Sequence, residues 1–99
     1  MTTEKQMPGG WSTEKPVTDE VENMCIKVAN QAGVHFDVFI PKTYRHQTVA
    51  GRNFLVKVKV AEDDKYLHAM IFQAPSEGGK LTVKGVQYPK SNKDPLVPF

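Results

Sequence analysis

The stretch TDEVENMCIKVANQAGVHFDVFI, residues 18–40, carries two different hydrophobic periods. Up to Gly33, Val21, Met24, Cys25, Val28, Ala29 and Ala32 recur at spacings of three and four, which places them on one face of a helix. Glu20, Glu22, Asn23, Lys27 and Asn30 fall on the other face. Thr18 is a suitable N-cap, Asp19 and Glu20 suit the positive end of the helix dipole, and Gly33 is a natural stop. The pattern predicts one amphipathic helix over about 18–32. After Gly33 the period becomes two: Val34, Phe36, Val38 and Ile40 alternate with His35, Asp37 and Phe39, the pattern of a half-buried strand.

Three further segments share that alternation. They are FLVKVKV (54–60), KYLHAMIFQ (65–73) and KLTVKGVQY (80–88). The connectors AEDDK and APSEGG are short, which suits antiparallel neighbours and excludes crossover helices. Pro41 marks a bend or bulge in the first strand. The expectation is an α+β fold, with one N-terminal helix packed on a twisted antiparallel sheet of four to five strands. Residues 1–16, with Pro8, Gly9, Gly10 and Pro16 and no periodicity, read as a mobile arm. PKSNKDPLVPF reads as an extended tail.

The chain has 99 residues, enough for one domain with one modest core. Its net charge of +2 gives no electrostatic argument for nucleic acid or an anionic membrane. No run approaches the roughly 18 apolar residues of a membrane span. The start MTTEKQMPGGWSTEKP lacks the apolar stretch of a signal peptide. The single cysteine cannot form an internal disulfide, so a cytoplasmic location is expected.

No catalytic constellation is legible, and the chain reads as a non-enzyme without cofactor or metal. Cys25, on the apolar helix stripe, reads as a buried structural thiol. His35, His46 and His68 share no ligand spacing, and His35 and His68 are expected at strand surfaces. Lys57 and Lys59 alternate with valines as a solvated strand face. Glu62, Asp63 and Asp64 read as a polar turn. Gly9-Gly10 and Gly78-Gly79 lack the Lys-Ser/Thr of a phosphate loop.

The tip QTVAG (47–51) is less polar than a plain turn requires. In an up-and-down sheet it shares one end with APSEGG, and an arm running beside the sheet reaches the same end. Apolar atoms at such an edge call for a partner, and a narrow edge suits a cleft.

These segments resemble the stefins, the type 1 cystatins, a family of intracellular inhibitors of papain-like cysteine proteases. QTVAG fits the family's Gln-x-Val-x-Gly hairpin, and RNFLVKV is similar to the strand that follows it. MPGGWSTEKPVT resembles the glycine-bearing N-terminus, IFQAP the approach to the second hairpin, and NKDPLVPF the ending. Arg52, Trp11 and Ala74 depart from the usual residues, and MTTEKQ extends the usual start. The resemblance implies one stefin domain over 1–99 that blocks the cleft of cathepsin-type proteases reversibly. Gln47, Thr48, Val49, Ala50 and Gly51 would form the centre of the wedge. Ala74 and Pro75 would touch the leaving-group side, and Met7 and Pro8 the opposite side. Gly9 would be the reactive site, turning the arm away from cleavage geometry. A monomer is implied, with hairpin exchange as a route to a swapped dimer. The competing reading is a binding module for a protein or single-stranded nucleic acid, presenting Lys57, Lys59, Tyr66, His68 and Phe72 on an open sheet face.

Overall fold

A computed structural model describes residues 10–76 and 78–99. The elements follow in the order β1 (Lys15–Pro16), α1 (Asp19–Ala32), β2 (Ile40–Val49), β3 (Gly51–Lys59), β4 (Tyr66–Gln73) and β5 (Leu81–Lys90). The five strands form one antiparallel sheet in sequence order, and α1 lies across one face. Among the described residues, no helix is long and apolar enough to cross a membrane.

Helix α1 begins and ends where its sequence directs. Thr18 is extended, and its hydroxyl accepts a hydrogen bond from the Val21 N–H at 3.2 Å. Asp19, Glu20 and Glu22 crowd the first turn, where unpaired N–H groups favour negative charge. Gly33 adopts φ 71°, so its N–H and that of Val34 turn back onto the last carbonyls. Val21, Met24 and Cys25 are buried against Tyr44, Phe54, Val56, Val58 and Ile71. At about 25 cal/mol per Å² of apolar surface removed from water, this packing is the main source of the fold's stability.

The strand expected over Val34–Ile40 is absent before Ile40. Its alternation reports burial, but a strand also needs a partner for its backbone. β3 ends at Lys59, which pairs with Ile40, so residues 34–39 have no ladder to join. They form an irregular connector instead. Phe36 and Phe39, expected on opposite faces, stack with ring centroids 6.3 Å apart and pack together on the core. Pro41 does mark a bulge: the β2–β3 register shifts between Pro41 and Thr43. The Lys42 carbonyl there accepts from the Val17 N–H at 3.1 Å.

Two surface assignments are overturned. Lys57 and His68 are 5 % and 0 % exposed, because the sheet's second face is covered as well. They are cross-strand neighbours on the face opposite α1, beside fully buried Leu55. The C-terminal tail and the N-terminal segment close over this face. Lys57 Nζ donates to the Asn92 carbonyl at 2.9 Å. Arg45 donates from Nε to the Ser12 carbonyl and from Nη1 to the Leu96 carbonyl, each at 2.8 Å. Ser12 and Leu96 are themselves buried. A lysine in an alternating strand therefore faces a covered layer, held by a carbonyl of a tail that the strand's own sequence does not mention.

Candidate functional site

The site is the end of the sheet where β2 turns into β3 and β4 turns toward β5. The ladder runs almost to the first tip: Gln47 pairs with Asn53, Thr48 with Arg52 and Val49 with Gly51. Only Ala50 stands outside the pairing. Asn53 Nδ2 donates to Gln47 Oε1 at 2.8 Å, a side-chain brace just below the tip. Thr48, Val49 and Ala50 are exposed, and Val49 keeps 42 % of its surface.

Gly51 is dictated by the sheet itself. Its φ is 106°, a conformation that L side chains rarely adopt. A Cβ there would sit 2.5 Å from the Gln73 carbonyl oxygen and 2.9 Å from the Phe72 ring. The glycine lets the tip of the first hairpin close against β4.

The second tip follows Gln73. Ala74 N–H donates to the Lys80 carbonyl at 2.8 Å and Gly79 N–H to the Ser76 carbonyl at 3.1 Å. Gly78 and Gly79 both take positive φ. Arg52 and Gln73 are cross-strand neighbours, so the two tips lie side by side. Gly51, Arg52, Gln73, Ala74, Pro75 and Gly79 line the groove between them.

The third segment arrives from the N-terminus. Trp11 bridges to Gln47, Ser12 N–H donates to the His46 carbonyl at 2.8 Å, and Ser12 Oγ accepts from His46 N–H at 3.0 Å. Residues 15–16 pair with Thr43 and Tyr44 as β1. Of the stretch read as an arm, residues 10–16 thus run alongside β2 toward the first tip. The expected contacts Met7, Pro8 and Gly9 lie outside the described residues. Gln47, Thr48, Val49, Ala50 and Gly51 are brought together with Ala74 and Pro75 at one sheet end.

Arg52 braces the site from just outside the QTVAG stretch. Its guanidinium donates to Gln73 Oε1, reaches Glu20 Oε2 at 2.8 Å, and lies 5.1 Å over the Phe54 ring. It ties the first tip to β4 and to the start of α1. The signal was a cation directly after the tip glycine, but its partners depend on cross-strand register. His46, one step below Gln47, is held below the ordinary imidazole range, first by burial and then by the cations Lys15 and Arg52. Among the described residues, no three His, Cys, Asp or Glu side chains converge as a metal site would require.

Known proteins match nearly the whole length of the chain. It is 36 % identical over 98 residues to Cystatin-B of Oplegnathus fasciatus, covering 94 % of this chain and 97 % of that protein. This chain belongs to the stefin family of cystatins. Human Cystatin-A is 35 % identical over 98 residues, covering 94 % of this chain and 99 % of that one. The pig protein named leukocyte cysteine proteinase inhibitor 1 is 32 % identical and matches along the full length of both. No family model matches the chain. These relatives bear inhibitors' names, not enzymes' names. In this stefin the face offered for single-stranded nucleic acid is largely covered, since Lys57, Tyr66 and His68 are all buried.

Proposed function

We propose that this stefin is a reversible, tight-binding inhibitor of papain-like cysteine proteases of the cathepsin type, acting in the cytoplasm as a monomer. The N-terminal arm and two hairpin tips enter the protease cleft together. The observation that supports this reading is the alignment of Trp11, the 47–51 tip and Ala74-Pro75 along one end of the sheet.

The chemistry is occlusion. Thr48, Val49 and Ala50 present small side chains and backbone at the centre of the edge, where they cover the catalytic cysteine without offering it a strained peptide bond. Val49 supplies exposed apolar surface that is removed from water in the complex. Ala74 and Pro75 contact the leaving-group side. Met7 and Pro8 take the substrate-like side, and Gly9 bends the arm out of cleavage geometry. The Gln47–Asn53 brace and the Arg52–Gln73 clamp hold the edge in shape before binding, which lowers the ordering entropy that association costs.

The test is a titration of active papain with the purified chain, followed with a small peptide substrate, with trypsin as control. Reversible loss of papain activity near one-to-one stoichiometry, with trypsin spared, is the expected result. A folded monomer that leaves papain fully active would overturn the proposal.

A further inference from the structure

Between the C-terminal half of α1 and strands β4 and β5 lies a cavity of about 160 Å³. Its origin is the size of the residues on the two walls. The N-terminal half of α1 fills the interface with Val21 and Met24, but farther along the helix offers Ala29 and Ala32. On the sheet side the short Ala69, Val83 and Val86 stand among Val58, Leu67 and Ile71, and together they leave the gap unfilled. Cys25 and Val28 complete the helix side, and Phe36 and Phe39 roof the space.

Every lining residue is apolar, apart from the weakly polar thiol of Cys25. Such walls offer a water no polar partners, so an apolar group that displaces loosely held water from the space gains affinity. The space is also open to the surface: the rim residues Val34, Val83 and Val86 are 41 %, 40 % and 50 % exposed. A ligand can enter without unfolding the domain.

A second groove adjoins the cavity. It shares Ala29, Val34, Phe36 and Phe39 with the cavity and adds Ile26, Asn30 and His35. Apolar walls inside and hydrogen-bonding side chains at the lip select an amphiphile.

We propose that this cavity binds the aliphatic chain of a small single-chain amphiphile, with its polar head at the lip beside Asn30 and His35. The cavity shares no lining residue with the groove between the hairpin tips. A fatty acid and a fatty alcohol share the chain chemistry, and the head group distinguishes them.

The experiment is a titration of the full chain, with methyl groups observed by NMR, using octanoate in one arm and 1-octanol in the other. Saturable shifts of the Val28, Val83 and Val86 methyls, with Leu96 on the opposite face unmoved, are expected. Stronger binding of octanoate assigns an acidic head group, and equal or stronger binding of octanol a neutral one. Ala69→Leu fills the cavity from the sheet and abolishes the shifts; Ala29→Leu does so from the helix should the first variant not fold. Unsaturable shifts, shifts at both faces, or wild-type binding by a folded filled variant would overturn the proposal.

Discussion

Replacing Gly51 by alanine separates what the fold requires of the first tip from what a protease would require. The substitution adds one methyl group at φ 106°, where its carbon would stand 2.5 Å from the Gln73 carbonyl oxygen and 2.9 Å from the Phe72 ring. Holding a non-glycine residue in such a backbone region costs about 1–3 kcal/mol. Overpacking against neighbours that cannot simply rotate away adds about 1–3 kcal/mol, and the closest neighbour here is backbone. A loss of about 3 kcal/mol is expected, a large share of the roughly 5–15 kcal/mol that holds a domain together. With a urea slope of about 1–3 kcal/mol per molar, the unfolding midpoint falls by about 1–3 M. Ala50→Gly, at the unpaired and exposed position beside it, costs about 1 kcal/mol or less, through the unfolded chain. The assay is urea unfolding of both variants at one pH. A Gly51→Ala variant that loses less than about 1 kcal/mol would refute the claim that β4 dictates this glycine.

Four further outcomes are expected. Burial, together with the cations Lys57 and Lys90, holds His68 below its ordinary value of 6.5, against the smaller opposing pull of Asp94 and Glu14. The unfolded chain therefore takes the proton first, and stability present above about pH 6.5 declines as pH falls toward the folded-state value. Urea midpoints at pH 7.5 and pH 5 should differ less in His68→Gln than in wild type; an equal difference would acquit His68. Burial, aided by Glu22, pushes the Cys25 thiol up to about 12, so an aromatic disulfide reagent should label it slowly in the native chain and rapidly in urea. Arg45→Ala removes donors to the Ser12 and Leu96 carbonyls, which should cost about 1–3 kcal/mol. It should also speed exchange of the Ser12 amide, while unchanged exchange would show that the clamp is dispensable. Gly9→Glu should weaken papain inhibition with no change in thermal unfolding, and unchanged inhibition by the folded variant would remove Gly9 from the reactive site.

The sequence by itself determined the helix, the antiparallel order and the tip motif. Each is a local signal: Thr18 and Gly33 cap their own turns, Met24 and Cys25 share a face by spacing alone, and short connectors leave adjacent strands no other pairing. Even the bulge at Pro41 is local, because proline constrains its own backbone. The tertiary structure decided what depends on residues far along the chain. Alternation over Val34–Ile40 could not show that β3 ends at Lys59 and leaves residues 34–39 unpaired. Alternation around Lys57 and His68 could mark one face as different but not as covered, since the cover comes from Ser12, Asn92 and Leu96. The same holds at the site. QTVAG announces a special tip, while the Arg52–Gln73 clamp, the Trp11 bridge and the conflict that excludes a side chain at Gly51 arise from cross-strand register, which emerges only when distant segments pack.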